Sequence, residues 1–247
     1  TTIAESRSPE ALTSHLTDYF EWLLDTLLAH RGEVNQLLGD GLMAYWGAPV
    51  ESEDHARDAV AAILACRTGL EELNRRWVAD REPPLPTRFG VATGEVVVGN
   101  VGSPSRLAYA AVGDAVNLAS RIEGMNRFYG TRLLVAGATR RQAGEGFEWR
   151  HVDGVRAKGK SQAVELHEPL GLAGEVSDDR LAFRDAYEDA LGRYRRRDFQ
   201  GAIDILDGLG GSDRDDRSVR RLRELAIDYL ADPPPEDWDG VTNLRIK

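Results

Sequence analysis

Between Arg88 and Met125 the chain reads RFGVATGEVVVGNVGSPSRLAYAAVGDAVNLASRIEGM, and this run narrows the possible folds more than any other. It opens as a strand, turns at Thr93-Gly94 and continues as a second strand from Glu95 to Val98. A polar loop containing glycine is predicted next, then a short apolar run from Leu107 to Val112. The Gly113-Asp114 break starts a helix on which Val116, Leu118, Ala119 and Ile122 can face a core. Asn117 and Arg121 lie four residues apart on that helix and so share one side of it. An amide beside a fixed guanidinium suits a ribose and a phosphate. A solvated helix face, however, can carry the same pair with no ligand at all.

The segments before this run are predicted to be helix, hairpin and helix. Ser8-Pro9-Glu10 supplies a capping hydroxyl, a proline at the first helical position and an early acid. Leucines and Phe20 then recur at helical spacing as far as His30, and Gly32 ends the helix. Residues 33 to 38 read as a strand and Leu42 to Trp46 as its partner, with Gly39-Asp40-Gly41 as the turn. A long helix follows Ser52, with Val60, Ile63, Leu64, Leu70, Leu73 and Trp77 facing inward. The segment Asp80 to Pro86, with three prolines, leads back to the strand at Arg88.

After Met125 the reading gives a strand at Thr131 to Ala136, a short helix near Thr139 to Ala143 and a strand near Phe147 to Val152. Lys158-Gly159-Lys160 is a turn into a last strand, Ala163 to Glu168. Strands alternating with helices, with two hairpin-like connections, predict an α+β sandwich with a mixed sheet and helices outside it. Composition shifts near Gly171 to Val176, and helices are expected from Ser177, over Asp198 to Leu209 and over Arg217 to Leu230. The ending PPPEDWDG reads as an extended tail with Trp238 anchored against something apolar.

Composition removes several function classes. A net charge of -10 argues against general nucleic-acid binding, which needs clustered Lys and Arg. The short basic cluster Arg193 to Arg197 is flanked by acids and is expected to be a solvated helix face. Cys66, the single cysteine, allows no internal disulfide, fits a reducing compartment and is expected in the core. The five histidines show no metal-ligand spacing, and no apolar run is long enough to span a membrane. The first residue is Thr, so further sequence is expected ahead of it, and a cytoplasmic location, free or as part of a membrane-bound sensor protein, fits best.

The run GVATGEVVVGNVG followed by Y-x-x-V-G-D-A-V-N-L-A-S-R resembles the catalytic core of the class III nucleotidyl cyclases, the adenylate and guanylate cyclases. So does G-E-V-N-x-x-L-G-D-G-L-M-A-Y-W-G-A-P around Asp40. The resemblance covers roughly residues 1 to 170 and implies a cyclase-type sandwich with a mostly antiparallel central sheet. A helical appendage at 177–232 and an extended tail at 233–247 would follow it. Within the appendage AYEDALGRYRRRDFQGAIDIL resembles one tetratricopeptide unit, too little for a solenoid.

The chemistry implied is conversion of ATP to 3′,5′-cyclic AMP and pyrophosphate, aided by two Mg²⁺ or Mn²⁺ ions per site. The resemblance makes Asp40 a metal ligand, Asn117 the residue that orients the ribose and Arg121 the group that stabilises charge on phosphorus. Lys158 matches the lysine that grips the β- and γ-phosphates. The second metal aspartate of the family lies in a Phe-x-Asp-Ile-x-Gly-Phe-Thr pattern, and Thr1 to Glu5 resembles the continuation of that pattern. Adenylate cyclases usually place Lys and Asp or Thr where this chain has Gln36 and Ala110. Gln36 can bond adenine or guanine, whereas Ala110 offers the exocyclic amine no acceptor. ATP is therefore expected over GTP from the general wording of the motifs, not from this pocket. The resemblance also implies a head-to-tail homodimer with the site shared between subunits. A guanylate cyclase, or a catalytically idle cyclase-fold module that binds a nucleotide or only dimerises, are the alternative readings.

Overall fold

The computed structural model describes residues 8–103, 106–157, 162–209 and 216–244. The chain divides into two compact units, one formed by residues 1–87 and 93–117, the other by 88–92 and 118–247.

The first unit contains the paired helices α1 (Pro9–Ala29) and α2 (His55–Ala79). Ser8 caps α1 by accepting from the Ala11 N–H at 3.3 Å, as its position before Pro9 leads one to expect. Leu23 and Leu27 of α1 are buried, as are Val60, Ile63 and Leu70 of α2, while Gly69 brings α2 close against the Trp22 ring. Cys66 is fully buried here, and burial pushes its thiol up to about 12. The proline-rich return is pinned to both helices. His15 bonds the Pro83 carbonyl at 2.9 Å, and Asn74 accepts from the Leu85 N–H at 2.6 Å. Two antiparallel hairpins complete the unit: β1 (Glu33–Leu38) with β2 (Gly41–Tyr45), and β4 (Val97–Ser103) with β5 (Arg106–Val112).

The second hairpin corrects an expectation. The glycine-containing stretch after Val98 was predicted as a loop, but β4 continues through it to Ser103, with Gly99 opposite Ala110 and Asn100 opposite Tyr109. Pairing with the apolar β5 overrides the weak strand preference of Gly and Asn. Thr93-Gly94 likewise does not fold its flanking strands onto each other. The strand before it, β3 (Phe89–Val91), pairs instead in the sheet of the second unit.

That sheet has the order β3-β6-β8-β7-β9, with β6 (Leu133–Ala136), β7 (Phe147–Ala157), β8 (Val164–Leu172) and β9 (Thr242–Leu244). Pairings β3–β6 and β7–β9 are parallel, and β6–β8 and β7–β8 antiparallel, so the sheet is mixed. Helix α3 (Asp114–Tyr129) starts in the first unit and runs on into the second. Its Ile122, Met125 and Tyr129 bury against Leu134, Val152 and Leu166 of the sheet. Gly90 permits this: a Cβ there would stand 2.2 Å from the Glu123 N and 2.3 Å from the Ala119 carbonyl oxygen. The short α4 (Gly137–Ala143) follows β6.

Three further helices, α5 (Asp178–Arg195), α6 (Phe199–Leu209) and α7 (Arg217–Ala231), share a core around Tyr187, Leu191, Phe199, Leu206 and Leu222. Trp238 packs against the rings of Tyr194, Phe199 and Tyr229, and the tail then supplies β9 alongside β7. Buried polar contacts tie these helices to the sheet. Arg150 of β7 bonds Glu168 and Asp216, each at 2.8 Å, and Tyr187 donates to the Val152 carbonyl at 2.8 Å. Burial pushes the Asp153 carboxyl up, against the Tyr129 hydroxyl that donates to it at 2.7 Å. The basic cluster is only partly the solvated face foreseen for it: Arg193 pairs with Asp189 and Asp198, but Arg195 turns inward to Glu165 at 3.3 Å.

Glu165 also accepts from His151, and chiefly for that reason its carboxyl is held down at about 2. His167, stacked on His151 at 4.8 Å, is buried and pushed down to about 3 by desolvation. Among the described residues no helix is long and apolar enough to cross a membrane.

Replacing Gly90 by Ala should lower unfolding stability by about 1–3 kcal/mol, read from a urea midpoint, because backbone rather than a flexible side chain occupies the space. A wild-type midpoint would contradict the packing of α3 on β3. Folded His167 stays neutral down to about 3, while the unfolded side chain protonates near 6.5, so the unfolded chain binds more protons between those values. Stability should therefore fall as pH drops below about 6.5, and further below about 4.5 as the unfolded Glu165 takes up its proton. His167→Leu should flatten the slope between pH 6.5 and 4.5 in thermal melts, and an unchanged slope would place the titration elsewhere.

Candidate active site

Gln36 and Asp40 belong to the β1–β2 hairpin, Gln36 within β1 and Asp40 in the turn that Gly39, at φ +67, helps to close. Both side chains are exposed. The hairpin is irregular: Val34 pairs with Ala44 and Gln36 with Met43, leaving Asn35 as the extra residue of a bulge. Asn35 is not idle. Its Oδ1 accepts from the Ala111 N–H at 2.8 Å and its Nδ2 donates to the Tyr109 carbonyl at 3.5 Å. The amide thus brackets Ala110 and holds β1, with Gln36 next in sequence, beside the strand that carries Ala110. Sequence reasoning assigned Asn35 no role. The signal it offered was an amide in the middle of a strand, where Asn is disfavoured.

Asn117 and Arg121 project from successive turns of α3, and both are exposed. Of the residues predicted to face inward, Ile122 is buried and Leu118 is half-buried against the same cluster, while Val116 and Ala119 are half-buried. The far end of α3 is tightly held. Asn126 is buried, donates to the Phe89 carbonyl at 2.8 Å and accepts from the Thr131 hydroxyl at 2.8 Å. Ser218 of α7 donates to the Tyr129 carbonyl at 2.8 Å, and the Arg221 guanidinium lies 3.6 Å from the Phe128 ring centroid. Asn126 and Ser218 too were invisible as supports of α3, because Phe89, which Asn126 bonds, and Tyr129, which Ser218 bonds, lie far from them in sequence.

Structure therefore groups Gln36 with Ala110 through Asn35, and Asn117 with Arg121 through the helix. Lys158 lies outside the described residues, directly after β7. As to a divalent cation, the Asp40 carboxylate is a hard oxygen donor in an exposed turn and suits Mg²⁺ or Mn²⁺. Among the described residues no group of three His, Cys, Asp or Glu side chains could hold a metal. These residues supply one ligand and do not complete a site by themselves. The hairpins also expose apolar surface: Leu37 and Leu38 on β1 are 54% and 55% exposed, and Val97, Tyr109 and Val112 on the other hairpin 72%, 50% and 51%.

Comparison with known proteins gives this arrangement its context. The model of the adenylate and guanylate cyclase catalytic domain family matches residues 1–167, and so ends before α5. The chain is 42% identical over 177 residues to Adenylate cyclase 1 of Rhizobium meliloti (strain 1021), a match covering 72% of this chain and 27% of that protein. It is 30% identical over 175 residues to an adenylate cyclase of Anabaena cylindrica, covering 68% of this chain and 34% of that one. The matches thus span only about a quarter to a third of these curated relatives' own length. Among solved structures, the guanylyl cyclase Cya2 aligns with a TM-score of 0.62 at 31% identity, covering 71% of this chain and 88% of the other. The adenylyl cyclase CyaB from P. aeruginosa aligns with a TM-score of 0.63 at 26% identity, covering 71% and 90%. With the family model spanning two thirds of its length and the cyclase fold around it, this chain belongs to the adenylate and guanylate cyclase catalytic domain family.

Proposed function

We propose that the protein is a nucleotide cyclase that converts ATP to 3′,5′-cyclic AMP and pyrophosphate for signal transduction. The observation that carries this reading is the Asn117/Arg121 pair, exposed on one side of α3 within the matched catalytic domain. In the reaction the ribose 3′-oxygen bonds to the α-phosphorus, the bond from that phosphorus to the bridging oxygen breaks, and the hydroxyl proton is released. Asn117 orients the ribose. Arg121 stabilises the charge that builds on phosphorus, the role in which a fixed donor accelerates most. Lys158 grips the β- and γ-phosphates, and Asp40 contributes a carboxylate to the Mg²⁺ or Mn²⁺ ions, two per site. A divalent cation bound there supplies charge neutralisation on the triphosphate.

On this reading residues 1–170 form the catalytic domain, 177–232 a helical appendage and 233–247 a tail. The active form is a head-to-tail homodimer, which the exposed apolar residues of the two hairpins support, since monomers rarely leave such surface uncovered. Gln36 and Ala110 meet the base. The adenylate cyclase relatives favour ATP. Gln36, which bonds either purine, and the similarity to the guanylyl cyclase Cya2 support GTP as the second reading. The departures at the base-contacting positions also support an idle module that binds nucleotide without cyclising it.

Product analysis with ATP and with GTP in Mn²⁺, using the protein at its full encoded length, tests the proposal. Cyclic AMP is the expected product. Asp40→Ala and Arg121→Ala should each lower kcat by about 100-fold or more while leaving the melting temperature nearly unchanged, because both side chains are exposed. Cyclic GMP alone would move the assignment to a guanylate cyclase, and no cyclic product from either triphosphate would leave the idle module.

A further inference from the structure

Asn35 stands beside both residues assigned to the base, and its half-buried amide is spent on the backbone that flanks Ala110. Three features set it apart. It is the unpaired residue of the bulge in β1, where the register passes from Val34 opposite Ala44 to Gln36 opposite Met43. An extra residue in a strand re-aims side chains, which is why bulges gather near functional sites. Second, its amide binds backbone rather than side chain: Oδ1 takes the Ala111 N–H at 2.8 Å and Nδ2 gives to the Tyr109 carbonyl at 3.5 Å. In a strand the carbonyl before a residue and the N–H after it point the same way, so one primary amide can stand in for a neighbouring strand at that residue. Here the bracketed residue is Ala110, whose opposite neighbour on β4 is Gly99. Third, the next residue in the chain is Gln36.

We infer that Asn35 is a specificity-positioning residue: its side-chain amide sets the register of Gln36 against Ala110, and thereby the shape of the site offered to the purine base of a nucleoside triphosphate. The inference rests on the proposed function, since it takes Gln36 and Ala110 as the base-contacting pair. Ala110 has no side-chain acceptor of its own, so base selectivity falls to Gln36 and to the backbone around Ala110. The amide of Asn35 fixes the relation of those two. The amide carries a donor and an acceptor on separate atoms, which the Tyr109 carbonyl and the Ala111 N–H engage at once. Asp keeps the acceptor alone, and Ala keeps neither.

The test is substrate selectivity in the full-length protein. For wild type, Asn35→Ala and Asn35→Asp, kcat/KM is measured with ATP and with GTP, and equilibrium binding is titrated with fluorescent ATP and GTP analogues. Melting temperatures are taken in parallel. Asn35→Ala should change the ATP-to-GTP ratio by roughly tenfold, the scale of one lost polar contact, acting mainly through KM with kcat on the better substrate far less affected. Asn35→Asp should fall between Ala and wild type. A lowered melting temperature with a ratio unchanged within about twofold would overturn the inference and make Asn35 a plain structural brace. If Asn35→Ala does not fold, the Asp variant decides, and an unmoved ratio there overturns the inference equally. If wild type forms no cyclic product, the proposed activity falls, while a binding ratio that shifts on substitution of Asn35 still sustains the inference. Failure of wild type to bind either analogue would sink both.

Discussion

Helix α3 lies so close to β3 at Gly90 that no side chain fits between them, and the placement of Arg121 on that helix depends on the contact. Gly90 removes the Cβ that would strike the Glu123 N and the Ala119 carbonyl. One residue earlier, the Phe89 carbonyl accepts from the buried Asn126 amide. The first contact fixes how near the helix lies to the strand. The second fixes its rotation and its position along the axis, since a hydrogen bond to a single backbone oxygen tolerates little sliding. With depth and rotation set, the helical pitch determines where Arg121 must point. A guanidinium that has to meet a transition state gains from a helix whose position does not wander.

Much of this was legible in the sequence, and the parts that were not share a cause. The 3.6-residue spacing of apolar side chains located α1, α2 and α3, because burial of one helical face repeats locally. Gly39-Asp40-Gly41 located the first hairpin, because φ above zero is a local demand. The continuation of β4 through Gly99 and Asn100 was missed because its stability lies in pairing with β5. The separation of β3 from β4 was missed for the same reason: the partner of β3 is β6, some forty residues on. Asp40, Asn117 and Arg121 stand exposed on elements the sequence foresaw. The side chains that brace those elements, Asn35 on β5, Asn126 on Phe89 and Ser218 on Tyr129, rely on contacts between residues remote in the chain, and a single sequence does not announce those.

The C-terminal helices differ from a loosely attached module in how they meet the sheet. Arg150 sits with its guanidinium between Glu168 and Asp216 and beside the rings of Phe183 and Tyr187. A buried cation of this kind is costly unless every partner is in place, so it tolerates few alternative dockings. Ser218 and Arg221 reach the last turn of α3. Movement of these helices would therefore be felt at the last turn of α3.

The parallel strand β9 has a consequence at the rim of the five-stranded sheet. Strand β7 runs eleven residues and would, if left open on that side, present a long template for a foreign chain. Thr242, Asn243 and Leu244 occupy the last part of that ladder, while Asp239 and Asn243 clasp Arg156 from the same segment. The outermost strands, β3 and β9, are each three residues long, too short to recruit a neighbour by backbone pairing. Over Val155 to Ala157, where it pairs, the tail closes that part of the edge to edge-to-edge pairing, an effect of its backbone and independent of any catalysis.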